Sequence, residues 1–191
     1  MKDTVLHKKM NKLICLVGET ARGKDTAARY LQEIHQLKPV ISYTTRPKRE
    51  KEIDGREHYF ITEAKANEIL GAGGICAYTK IGDYQYFATK NELNNADLYI
   101  IDPNGIEYLK QVYDDKDLFI IYITCDKALA EARYISRGGS HSEYVSRASA
   151  EEQQFYRFAH DFKYDVKIDN NGTLNDFYNK LSFMMFLETL K

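Results

Sequence analysis

The sequence predicts an α/β fold in which a parallel β-sheet is flanked by helices, and three observations carry that expectation. Residues 13–17, 98–101 and 119–123 are uninterrupted apolar runs, without the polar alternation of a strand that keeps one face in water. Helical periodicity fills the intervals between the runs. A turn bounded by Gly18 and Gly23 joins the first run directly to a helical pattern.

Taken in order, residues 13–17 form the first strand and residues 24–37 the helix that follows it, ended by Pro39. Residues 40–43 read as a second short strand. The periodicity then changes, with short strands at 58–60, 75–78 and 84–88 and a helix at 63–70, which describes an inserted lobe. A core strand at 98–101 is closed by Asp102-Pro103 and followed by a helix over 105–112. After the strand at 119–123 comes a long helical stretch broken at Arg137-Gly138-Gly139-Ser140, and residues 166–168 form the last strand. The apolar residues 181–187 are too few to span a bilayer and read as a C-terminal helix docked on the core. One domain is expected over 1–191, with a core at about 12–43 and 96–191, a lobe at about 44–95 and a lid at about 134–147.

Composition narrows the function classes. At 191 residues the chain can bury a real core as one domain. Its 27 basic and 28 acidic side chains nearly cancel, so no global field draws it to nucleic acid or to a membrane. The 15 tyrosines and 9 phenylalanines are scattered rather than interleaved with basic residues, unlike a base-stacking platform. Cys15, Cys76 and Cys125 lack metal-type spacing and read as buried thiols of a reducing compartment. The first twelve residues are mostly polar, are expected to fray and hold no signal-type apolar region, so the expected location is cytoplasmic. Nothing in the sequence specifies an oligomeric state.

The chemistry begins with Gly18-Glu19-Thr20-Ala21-Arg22-Gly23-Lys24-Asp25-Thr26. Strand, glycine-bounded loop and helix in that order make a P-loop. Its N–H groups face inward, its helix offers a positive end, and Lys24 places an ammonium between phosphates. ATP is the expected ligand of the whole stretch, accompanied by Mg²⁺. Asp25 stands where a hydroxyl usually meets that metal, and it has two readings, a direct carboxylate ligand or an acid favouring the helix dipole. Thr26 offers a second oxygen donor. Arg133, Arg137 and Arg147 flank the paired glycines, so the break is either a hinge that carries guanidinium groups to the phosphates or part of a solvated helix.

Ser42-Tyr43-Thr44-Thr45-Arg46-Pro47-Lys48-Arg49, then Glu52 and Asp54-Gly55-Arg56-Glu57-His58-Tyr59-Phe60, carry a more specific pattern. With the P-loop they make the chain resemble the guanylate kinase family of nucleoside monophosphate kinases from residue 13 to about 187. The resemblance implies a P-loop kinase core with an inserted monophosphate-binding lobe and a lid. It implies that Ser42, Arg46 and Arg49 hold the acceptor phosphate, with Arg137 and Arg147 at the transferred phosphoryl and Asn170 or Asn171 near the donor adenine. Lys24 joins the two lid arginines as catalytic. His58 aligns with the family's phosphate-contacting tyrosine, for which neighbouring Tyr59 is a substitute, and His58 packing on Tyr59 and Phe60 is the other reading. Tyr86 belongs to the modified stretch Gly82-Asp83-Tyr84-Gln85-Tyr86-Phe87-Ala88-Thr89 and is either an acceptor contact or a core ring. Thr79, Asp83 or Gln85 offer replacement polar contacts.

Two departures concern the base. Cys76 aligns with a guanine-reading glutamate, and Ile100 with an aspartate at a strand end, leaving Asp102 as the acid on the acceptor side. The resemblance implies ATP-dependent transfer to a nucleoside monophosphate, with GMP giving GDP. A kinase for a different nucleotide acceptor and a catalytically silent interaction module are the alternatives. Small nucleotides are the expected partners.

Overall fold

In β1 (Lys12–Val17), Leu13, Cys15 and Val17 join one buried cluster while Ile14 and Leu16 join another. A strand buried on both faces is what its unbroken apolar sequence requires. The computed structural model describes residues 12–161 and 163–189, so the polar N-terminal segment expected to fray lies, apart from Lys12, outside the described residues.

α1 (Lys24–His35) buries Ala27, Ala28 and Leu31 and ends where Gln36 turns left-handed and its N–H bonds Leu31 O, two residues before the predicted limit. The predicted strand at 40–43 is displaced. Pro39 makes a single parallel bridge to Leu98, and the chain then leaves for a second sheet as β2 (Ser42–Thr44). No local signal marks this split, because residues 40–44 run on without a glycine or proline and are all compatible with strand.

β3 (His58–Phe60), α2 (Glu63–Ala72), β4 (Ile75–Ile81) and β5 (Tyr84–Thr89) follow. The second sheet has the order β3-β2-β5-β4, with β2 and β3 parallel and the other pairs antiparallel. A short unpredicted helix, α3 (Lys90–Asn94), starts with a capping box between Thr89 and Glu92.

β6 (Leu98–Ile100) returns to the core. Asp102 caps α4 (Pro103–Val112), with Pro103 at the first turn, where no N–H is needed. β7 (Asp117–Thr124), α5 (Lys127–Ser136), α6 (His141–His160), β8 (Val166–Asp169) and α7 (Leu174–Thr189) complete the order. The core sheet runs β6-β1-β7-β8, all parallel. Leu31, Phe177, Leu181 and Met184 cover one face from α1 and α7. Ile106, Leu109, Phe155 and Phe158 cover the other from α4 and α6. The fold is therefore α/β, with a parallel core sheet flanked by helices.

Between α5 and α6, Gly138 has φ 95°, and a Cβ on Gly139 would run into the Tyr134 ring. Ser140 and Glu143 form a capping box that restarts the helix. Among the described residues no helix is long and apolar enough to cross a membrane.

Candidate functional site

The turn after β1 excludes side chains at two points. A Cβ on Gly18 would lie 2.5 Å from Ile123 O, and one on Gly23, whose φ is 110°, would run into the Asn170 amide. Ala21 is also left-handed, at φ 63°, which costs a non-glycine residue about 1–2 kcal/mol. Left-handed residues within a tight turn make a concavity of N–H groups suited to an anion. Buried Asn170 braces the turn, its Nδ2 donating to Arg22 O at 2.9 Å and its own N–H to Thr124 O at 2.7 Å. Asn171 instead bonds Asp126, accepting from its N–H at 2.7 Å and donating to its carboxylate at 3.0 Å.

Lys24 opens α1 and folds back on the loop, donating to Gly18 O at 2.5 Å and Glu19 O at 3.0 Å. Burial lowers its pKa, and the carboxylates of Asp25, Glu151 and Glu19 oppose that shift. Glu151 of α6 accepts from Thr20 N and from Thr20 Oγ1, each at 2.7 Å. Arg22 lies against Glu19 at 3.5 Å and donates to Cys125 Sγ at 3.7 Å. Asp25 is exposed and Thr26 half-buried on the first turn of α1. A carboxylate and a hydroxyl are donors that fit a small hard cation, and the N–H cradle beside them fits the phosphates it accompanies. Among the described residues no group of three or more His, Cys, Asp or Glu could hold a metal by itself.

The second sheet supplies the facing wall. Ser42 and His58 are register partners, with Oγ 2.9 Å from Nδ1, and the Tyr86 ring meets the His58 ring edge-on at 5.8 Å. Burial lowers the His58 pKa, and the charge of Arg46 acts in the same direction. Arg46 donates twice to Glu52, at 2.8 and 3.0 Å, and lies 5.4 Å from the Phe60 ring centre. Glu52 also accepts from Arg49 N at 2.7 Å, while the Arg49 side chain is 58% exposed. Tyr59 packs instead on Tyr43 at 5.0 Å. Strand alternation puts it on the face opposite His58, so it is not brought to Ser42.

Asp102 joins the two walls. Its Oδ1 accepts from Gly105 N at 2.7 Å and its Oδ2 from Thr79 Oγ1 at 2.9 Å. Burial raises its pKa against the pull of those hydrogen bonds and of the Lys24 charge. A cleft of about 600 Å³ is shared by Gly18, Lys24, Ser42, His58, Tyr86 and Asp102. A second, of about 320 Å³, is lined by Glu19, Thr20 and Arg22, and Glu151 lines both. The lid arginines are outside them. Arg137 is exposed and donates to Arg133 O at 3.1 Å, and exposed Arg147 lies 5.8 Å from the Tyr134 ring centre.

A phosphate-type loop facing a lobe of Ser, His, Tyr and Arg can be compared with known proteins. The family model described as guanylate kinase matches residues 10–188. The chain belongs to the guanylate kinase family. It is 36% identical over 158 residues to the guanylate kinase of Nocardia farcinica, covering 75% of this chain and 78% of that protein. To the guanylate kinase of Symbiobacterium thermophilum it is 28% identical over 165 residues, covering 83% and 78%. Its fold is similar to the crystal structure of guanylate kinase from Anaplasma phagocytophilum, with TM-score 0.68 and 17% identity over 94% of this chain and 86% of that one.

Within this guanylate kinase family member, two site features were not singled out from sequence. Glu151 lies four residues after Arg147, a spacing that puts both on one side of α6. The Glu52 bridge to Arg46 was legible only as part of a motif. Cys76 is buried, and its Sγ donates to Gly74 O at 3.7 Å, whereas Ile100 lines the larger cleft.

Proposed function

We propose that this guanylate kinase family member transfers the terminal phosphoryl group of ATP to a nucleoside monophosphate, with GMP as acceptor. The observation carrying the reading is the shared cleft, in which Lys24 and Gly18 of the loop face Ser42, His58 and Tyr86 of the second sheet. A reaction between two phosphate groups needs two anion-binding walls converging on one space.

In this reading the loop N–H groups from Gly18 to Thr26 and the Lys24 ammonium bind the donor phosphates. The acceptor monophosphate is held by Ser42, Arg46 and Arg49, with Tyr86 and neutral His58 beside it. Planar guanidiniums suit phosphate bidentately, and Glu52 already fixes the orientation of Arg46. Asp25 and Thr26 would hold Mg²⁺ arriving with ATP, and the metal supplies neutralisation of phosphate charge. An acceptor phosphate oxygen attacks the terminal phosphorus in line as the bond to the bridging oxygen of ADP breaks. Arg137 and Arg147 move in from the lid to offset charge on the moving group.

Cys76 and Ile100 favour a second reading, the same transfer to a monophosphate with a different base. A buried thiol and an aliphatic side chain offer none of the acceptors that guanine's N–H groups need, while Thr79 and Asp102 remain at the cleft. Measuring ADP formation from MgATP with GMP, AMP, CMP, UMP or dTMP supplied singly tests both readings. GMP-dependent ADP supports the first, preference for another base the second, and ADP formation indifferent to every acceptor contradicts both.

A further inference from the structure

The contact between Glu151 and Thr20 has no role in the transfer described above. Both carboxylate oxygens are engaged, one by the loop N–H and the other by the hydroxyl of the same residue. A carboxylate that accepts from a loop N–H and hydroxyl together occupies the position of an anion's oxygens. Glu151 also lines both clefts, so its carboxylate stands beside the loop and next to the shared space. Acidic Glu19 and Asp25 are close enough for their charges to act on Lys24 together with that of Glu151. The loop is thus satisfied internally, with Lys24 on its own carbonyls and Thr20 on α6.

We infer that Glu151 is an autoinhibitory cap, a carboxylate from the lid-side helix that holds the loop shut and must leave Thr20 before donor phosphates can bind. The inference rests on the loop being the donor site and adds how access to it is controlled. Arg147 precedes Glu151 by one turn of α6, and the helix follows the break at Gly138 and Gly139. Movement of α6 that lifts Glu151 away therefore also relocates Arg147. Release of the loop and arrival of the lid guanidinium are linked through one rigid element. Until release, nucleotide binds only the uncapped fraction of molecules, and its apparent affinity is reduced by that fraction.

Calorimetric titration of ADP, and of inorganic pyrophosphate as a probe without a base, tests this on the wild type, Glu151→Met, Glu151→Ala and Lys24→Ala. An uncapped fraction of about one-fifth would make both Glu151 variants bind each ligand about fivefold tighter. The expected result is a gain of at least that size, and stopped-flow mixing should show the ADP association rate rising with the dissociation rate nearly constant. Glu151→Met keeps the side-chain length without the oxygens that accept from Thr20, so it carries the test if the alanine variant is unstable. A merely structural contact would lower stability without tightening pyrophosphate. Unchanged or weaker binding in both Glu151 variants, with wild-type binding intact and lost in Lys24→Ala, overturns the cap and leaves the loop reading standing. Failure of the wild type and both Glu151 variants to bind either ligand overturns the two together.

Discussion

Ser42 Oγ and His58 Nδ1 lie 2.9 Å apart because the parallel register of β2 and β3 sets the two residues side by side. The pairing ties the acceptor wall to a titratable ring. Burial and then the neighbouring Arg46 charge push the His58 pKa below its ordinary 6.5, against the opposing pull of Glu52 and of the hydrogen bonding with Ser42.

A pH dependence of stability follows. Below about pH 6.5 the unfolded chain binds a proton at this histidine that the folded chain does not. Stability contributed by neutral His58 is therefore present above that pH and is lost as pH falls through the folded pKa. Thermal unfolding from pH 7.5 to 5 checks this. The wild type should lose Tm more steeply than His58→Gln below about pH 6.5, and parallel curves would contradict it.

Arg46→Ala should raise the acceptor KM roughly 10- to 100-fold, corresponding to loss of a charge-assisted contact of about 1.5–3 kcal/mol. Arg49→Ala should act in the same direction but less, because the Arg49 side chain is mostly in water whereas Arg46 is clamped by Glu52. The ATP KM should change little in either. Steady-state kinetics with each substrate varied gives the answer, and equal losses for both substrates would remove these residues from the acceptor wall.

Asn170→Ala should cost stability. Its amide donates to Arg22 O, and a half-buried carbonyl left without its donor costs about 1 kcal/mol. Urea unfolding should show that loss. A variant as stable as the wild type but weaker for ATP would return Asn170 to the adenine-contact role implied by the resemblance.

The loop and the core strands were legible because each has a local physical signature. Two-sided burial writes Leu13–Val17 as an unbroken apolar run, and the clash awaiting any Cβ on Gly18 or Gly23 demands glycine there. Tyr59 and Glu151 show what was not legible. Adjacent residues such as His58 and Tyr59 are interchangeable in a motif, yet strand alternation sends them to opposite faces. Glu151 meets Thr20 across 131 residues of chain, and no pattern local to either residue records that meeting. Asn170 falls between these cases. The resemblance implied Asn170 or Asn171 near the donor adenine, and the use of Asn170 as a brace depends on how the end of β8 meets Gly23.

Replacing Asp25 by Ser tests the metal side of the donor site. A carboxylate among the metal's ligands adds negative charge, so Asp25→Ser should shift the Mg²⁺ concentration giving half-maximal activity while leaving the order of acceptors unchanged. Titrating Mg²⁺ at fixed ATP with several acceptor concentrations separates the two effects. Superimposable metal curves would leave Asp25 as a helix-terminal acid only.

The most direct test follows the phosphoryl group itself. Wild-type protein and Lys24→Ala are incubated with ATP labelled in the terminal phosphate, Mg²⁺ and one nucleoside monophosphate, and the label is located by chromatography. Label should appear in the nucleoside diphosphate for the wild type, with GMP used best. Transfer should fall at least a hundredfold in a Lys24→Ala protein that remains folded, since Lys24 bonds loop carbonyls and faces carboxylates rather than packing in the core clusters. Label found only in inorganic phosphate, or Lys24→Ala turning over within twofold of the wild type, would contradict the proposed transfer.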